Sequence, residues 1–186
     1  NINNFIDYNI FQIYFNNTDW PGNNIKFWKS QIEGSKWEWI LFDTDFGFGL
    51  VDFNGSNTLL FLLEENGPEW PNPPWSTLLF RNLIDNENFR NTFLNNFCFY
   101  FNSKFLPNNV SAHIADIIFL VQDEMPNHIN RWGGSYEEWY LNVNQMIEFG
   151  INRKDNIYTY LSNFFNYSTS NLNISHEPEG GGNLYT

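Results

Sequence analysis

Apolar and polar residues change rhythm several times along this chain, and each change predicts a different kind of element. From Asn3 to Asn16 the apolar positions Phe5, Ile6, Ile10, Ile13 and Tyr14 recur at helical spacing, so a helix is expected there. Residues Ile25 to Trp28 and Trp37 to Phe42 then alternate, with the turn formers Glu33-Gly34-Ser35 between them, which predicts a β-hairpin. Residues 50 to 75 keep no period. They carry Gly, Asn and Pro and end in Glu69-Trp-Pro-Asn-Pro-Pro-Trp75. Long irregular segments inside domains are often functional; the other reading is that Trp70 and Trp75 cap the core.

Beyond residue 75 the rhythm becomes helical and stays so. Ser76 is expected to cap a helix through Ile84, and Asn86 one from Glu87 to about Lys104. Pro107 opens a third helix toward Met125, where Pro126 should kink or end it. Ser135 and Glu138 form a capping box for a helix continuing past Gly150, with Trp139, Val143, Met146, Ile147, Ile157, Leu161 and Phe165 at helical spacing. The fold class expected is α+β, mostly helical. One domain should cover 1–165. Residues 166–186, rich in Asn, Ser, Thr and Gly, read as a linker, or as the start of a following β module at Leu172 to Ser175.

Composition narrows the function classes. A chain of 186 residues and 22.1 kDa should form a single core. Its formal charge of −12 argues against nucleic acid and anionic membrane surfaces as partners. The same charge would suit a basic protein substrate, or serve only to keep the chain solvated. No apolar run is long enough for a membrane span. Aromatic residues make up 20% of the chain, more than a core needs, so some are expected to line a cleft or a contact face for another lobe. Cys98, alone among phenylalanines, is expected to be a buried small apolar residue. His113 and His128 read as packed or surface residues rather than ligands. The Asn-x-Ser/Thr triplets at Asn16, Asn54, Asn109, Asn166 and Asn173 are what an Asn-rich chain produces by chance.

The chemistry concentrates in two short stretches, Asp19-Trp-Pro-Gly-Asn-Asn24 and Asp43-Thr-Asp-Phe-Gly-Phe-Gly49. Each alone reads as a turn. In order, with a hairpin between them, they resemble the metal-and-base half of a protein-kinase active site. Phosphoryl transfer needs positioning and cancellation of phosphate charge more than covalent help. A carboxylate and an amide oxygen suit a hard divalent ion, and a separate carboxylate must accept the proton of the attacking hydroxyl. On that layout Asp19 is the candidate base, and Asn24 and Asp45 are the candidate metal ligands. Asp43 competes with Asp45 for the metal or merely closes the strand, and Asn23 is the alternative to Asn24. Lys26 is the nearest cation within reach of phosphate.

Asn17-Thr-Asp-Trp-Pro-Gly-Asn-Asn-Ile-Lys26 and Lys36-Trp-Glu-Trp-Ile-Leu-Phe-Asp-Thr-Asp-Phe-Gly-Phe-Gly49 together resemble the CotH kinase family of spore-coat and secreted proteins. Further matches are Ser76 to Arg81, Met125 to Trp132 and Ser135 to Trp139, so the resemblance covers roughly residues 3 to 165. It implies an atypical kinase with a protein-kinase-like C-terminal lobe, phosphorylating Ser or Thr on secreted, cell-surface or coat proteins with ATP and Mg²⁺ or Mn²⁺. It also implies the same roles for Asp19, Asn24 and Asp45. The chain departs from the kinase pattern in two ways. Asn17-Thr18 stands where His-Arg precedes the catalytic Asp, and Pro21 where many kinases place a Lys. The Gly-rich loop, strand Lys and helix Glu of kinases would lie upstream of Asp19. The expectation is therefore a C-lobe lacking its N-terminal lobe and inactive alone. Two other classes remain open: a non-catalytic adhesion protein on the same fold, and an aromatic-rich carbohydrate-binding module, against which the helical second half speaks.

Overall fold

A computed structural model describes residues 1–51, 56–66, 72–168 and 170. Trp70, Asp52, Asn54 and the strand anticipated at 172–175 lie outside them. The expected opening helix is α1, Ile2–Phe15. It is buried nearly all round, through Phe5, Ile6, Tyr8, Ile10, Ile13 and Tyr14, and so forms the axis of the core rather than a surface helix. Asn16 ends it in the left-handed conformation, φ 57°, with its N–H donating to the Gln12 and Ile13 carbonyls. Asn is one of the few residues that adopts this helix-ending geometry readily.

The hairpin follows as expected. Strands β1, Lys26–Trp28, and β2, Glu38–Ile40, pair antiparallel with Phe27 opposite Trp39. Gly34, at φ 78°, sits in the connecting turn, where a left-handed backbone favours glycine. The base of the hairpin is fastened to α1: Asn4 accepts from the Trp39 N–H at 2.6 Å and donates to the Trp39 carbonyl at 3.2 Å. Phe5 meets the Trp39 ring at 4.6 Å. Phe27, Trp28 and Trp37 remain half or more exposed.

The segment read as wholly irregular contains a helix, α2, Thr58–Leu63, with Leu59 and Leu62 buried and Asn57 accepting from the Leu60 N–H. Helix α3 spans Pro74–Ile84. It starts two residues before Ser76, because Pro at the first helical position brings a preset φ and lacks a donor that the helix would leave orphaned. The Ser76 hydroxyl donates to the Pro73 carbonyl at 2.7 Å instead of capping. Trp75 is exposed, so it does not cap the core.

Helix α4, Glu87–Phe101, is capped by Asn86 as expected and stops short of Lys104. Phe89, Phe93, Phe97 and Phe101 are all buried, four residues apart on one stripe. Successive rings from Phe93 to Phe101 lie 5.2 and 5.3 Å apart, and Phe80 of α3 meets Phe93 edge-on. Cys98 falls off this stripe and is exposed, which corrects the expectation of a buried thiol.

Helix α5, Pro107–Val121, gives way to a 3₁₀ turn at Gln122–Glu124 before α6, Met125–Trp132. The break thus precedes Pro126. A proline ring clashes with the carbonyl four residues back, and that residue is Gln122, where the α-helix stops. Helix α7, Tyr136–Phe165, begins at the capping box: Ser135 accepts from the Glu138 N–H at 3.1 Å and donates to its carboxylate at 3.2 Å. Gly150 lets α7 approach α5 closely, since a Cβ there would lie 2.7 Å from Val110 Cγ1. The described residues are mostly helical with one two-stranded sheet, and no helix among them is long and apolar enough to cross a membrane.

Candidate active site

The left-handed turn at Asn16 directs the chain from α1 into the loop that carries Asp19. Asn17 is fully buried; its Nδ2 donates to Gln12 Oε1 at 2.9 Å, and its Oδ1 accepts from the Asp19 N–H at 3.0 Å. This Asx-type turn fixes the backbone of Asp19 from below. Asn17 thus positions the candidate base, a role that sequence reasoning missed because it read Asn17 only as a departure from the kinase pattern. The bond between Trp20 and Pro21 is cis, and Trp20 is buried beside the loop.

Asp19 is itself nearly buried, 6% exposed. Asn23 Nδ2 donates to its Oδ1 at 2.8 Å and Asn24 Nδ2 to its Oδ2 at 2.7 Å. Both asparagines therefore converge on Asp19, and neither displaces the other. With its amide nitrogen committed to Asp19, the donor that Asn24 would offer a cation is its amide oxygen.

The second stretch is pressed against the first by backbone hydrogen bonds. The Thr18 N–H donates to the Phe46 carbonyl at 3.3 Å, and the Phe48 N–H to the Phe15 carbonyl at 2.7 Å. Phe48 stacks on Phe15 at 5.2 Å and meets Phe149 of α7 at 5.5 Å. Gly47 fits because a Cβ there would lie 2.9 Å from both the Phe15 and Thr44 carbonyl oxygens. Asp43 and Phe48 adopt φ 52° and 51°, as does Asn24 at 52°, so three non-glycine residues of this region take a sparsely populated conformation. Such residues persist only where the surrounding structure holds them.

Asp43 and Asp45 are exposed, unlike Asp19. Loss of hydration pushes the Asp43 carboxyl above its ordinary range. The hydrogen bond and negative charge of Asp45 add to this, as does the charge of Asp19, while Lys26 opposes it. Lys26 Nζ also lies 3.2 Å from the centre of the Phe42 ring. The six candidate residues thus gather in one region at the base of the hairpin. No group of three His, Cys, Asp or Glu side chains arranged to hold a metal occurs among the described residues. The donor set here is mixed: carboxylates of Asp43 and Asp45 with the Asn24 amide. Hard oxygen donors and crowded negative charge fit a divalent cation, which would relieve the repulsion at Asp43.

A cavity of about 530 Å³ opens beside Asp45, bounded by Gly47, Phe48 and Leu50 on the loop and by Asn142, Gln145 and Met146 on α7. Its size lies within the range of small-molecule sites.

Arg153 of α7, fully buried, ties the end of α1 to the segment that opens α2. It donates to the Tyr14 carbonyl at 3.0 Å, the Ile13 carbonyl at 2.6 Å, the Thr58 hydroxyl at 2.9 Å and the Ser56 carbonyl at 3.4 Å. A guanidinium suits this task, having five donors and a permanent charge at the carbonyl end of α1. Nothing in the sequence pattern singled it out. His113 and His128 are exposed and lie outside this region.

The site thus consists of the Asp19–Asn24 loop, a hairpin and the Asp43–Gly49 loop, in that order along the chain. The model of the CotH kinase protein family matches residues 1–157, and the chain belongs to that family. No curated protein and no solved structure matches the chain.

Proposed function

We propose that this chain forms the protein-kinase-like C-terminal lobe of an atypical, CotH-like kinase, which transfers phosphate from ATP to Ser or Thr of a secreted, cell-surface or coat protein. The observation that carries the reading is the pair of backbone bonds, Thr18 to Phe46 and Phe48 to Phe15, that lock the two motif loops side by side. Family membership supports it.

In this reading Asp19 accepts the proton of the acceptor hydroxyl. Its carboxylate is oriented by Asn23 and Asn24, and each oxygen keeps a further lone pair for that proton. Asp45 and the Asn24 amide oxygen would hold Mg²⁺ or Mn²⁺, with Asp43 as an accessory carboxylate. The bound cation would supply neutralisation of charge on the phosphates. Lys26, tethered over Phe42, would meet phosphate oxygens from the hairpin side.

The test is transfer from ATP in the full-length protein. Asp19→Ala and Asp45→Ala should each abolish it and keep the melting profile. If Asp19→Ala retains activity, the base assignment is wrong.

A further inference from the structure

Phe48 and Met146 border not one cavity but two. The second, of about 540 Å³, lies among α1, the end of α4, α5 and α7. Phe11, Phe15, Phe105, Ile114 and Ile117 line it, and among the described residues no carboxylate does. Its polar groups are few and of one character. Lys104, a cation, and His113, a ring N–H donor, both exposed, stand at the wall. Tyr100 is engaged by Asp7, a carboxylate that Asn96 also holds at 3.0 Å. Tyr14 is buried, with its ring stacked on Phe105 at 3.7 Å and planes 5° apart, and its hydroxyl has no hydrogen-bond partner among the described residues.

This distribution runs against the rest of the molecule. The chain has only 9 Lys and Arg against 21 Asp and Glu. A site that gathers a Lys and a His around an apolar hollow, with no acidic side chain among the described residues of its wall, favours a ligand that is apolar along its length and anionic at one end.

We propose that this cavity binds a single-chain, medium-length carboxylate of the fatty-acid type. Its tail lies against Phe11, Phe105, Ile114 and Ile117, and its head is paired with Lys104 and His113. The proposal stands independently of the kinase reading. Because Phe48 and Met146 serve both cavities, an occupant would bear directly on the loop that carries Asp45.

Isothermal titration with decanoate and with decanol tests it. Decanoate should bind at one site, and decanol, lacking the charge, roughly five-fold more weakly, as expected for a partly exposed charge pair. Lys104→Glu, an exposed change that the fold should tolerate, should weaken decanoate by at least that factor and leave decanol unaltered. Ile114→Phe should fill the hollow and abolish both; if it does not fold, Lys104→Glu alone decides. Absence of decanoate binding, equal affinity for the two ligands, or indifference to Lys104→Glu would each overturn the proposal.

Discussion

Asn24 donates from Nδ2 to Asp19 Oδ2 at 2.7 Å, so the amide proposed to hold a cation also orients the proposed base. Its backbone stands at φ 52°, a conformation that glycine adopts freely and alanine does not. Asn24→Gly should therefore keep the melting temperature near that of the parent while cutting transfer by about a hundred-fold, the scale seen when one catalytic hydrogen bond is removed. Asn24→Ala should lose transfer equally and also lose about 1–2 kcal/mol of stability. Thermal melts beside single-turnover assays separate the two effects, and full activity in Asn24→Gly would remove Asn24 from the site.

Gly47 makes a steric prediction. An added methyl would meet two carbonyl oxygens at 2.9 Å, one at the end of α1 (Phe15) and one on its own loop (Thr44), and neither is a flexible side-chain tip. Gly47→Ala should cost about 1–3 kcal/mol and weaken Mn²⁺ binding by pushing Asp45 away from Asp19. Urea unfolding and metal titration check the two halves. Unchanged stability would mean that this loop does not lie so close to the end of α1.

Arg153→Met keeps the length of the side chain and removes its donors. Two carbonyls at the end of α1, the Ser56 carbonyl and the Thr58 hydroxyl would lose this donor. Unsatisfied buried groups cost about 1–3 kcal/mol each, so a loss of at least about 3 kcal/mol is expected in denaturant unfolding. Arg153→Lys should recover little, because an ammonium cannot span the same fork.

Alkaline pH should expose the buried tyrosines. Burial pushes the Tyr14 phenol up to about 12, opposed by the charge of Arg153. A raised folded value means that stability is fully present below pH 10 and is lost as pH climbs toward 12, since the unfolded chain ionises first. The contribution of Tyr14 at stake is about 2–3 kcal/mol. Tyr14→Phe should flatten this decline in unfolding experiments across that window, and an unchanged alkaline slope would contradict it.

The helices and the hairpin were legible because they obey local rules. Ser135 with Glu138, Asn86 before Glu87, and the alternation around Phe27 and Trp39 each declare an element within a few residues. Helix α2 was not legible, since six residues are too few to show a period and its neighbours are turn formers. The depth of Cys98 was misjudged because hydrophobic company in sequence is not company in space: Phe97 and Phe101 face inward, while Cys98 sits on the next face of the same helix. Asp19, Asn24 and Asp45 were legible as a spacing. Asn17 and Arg153 were not, because their work is done through backbone carbonyls and amides that carry no sequence signature.

The reach of Arg153 also sets an order of events in the life of the chain. Its partners on α1 lie 139 and 140 residues earlier. During synthesis both motif loops therefore emerge long before the side chain that fixes the end of α1, the helix from which the first of them departs. Contacts of such separation form late, after the loop between them has been closed. A nascent chain can thus display every signature residue from Asp19 to Gly49 before the helix end beneath them is fastened. Fastening of that helix end waits on α7, which sets a delay between the translation of the motif loops and the completion of the core beneath them.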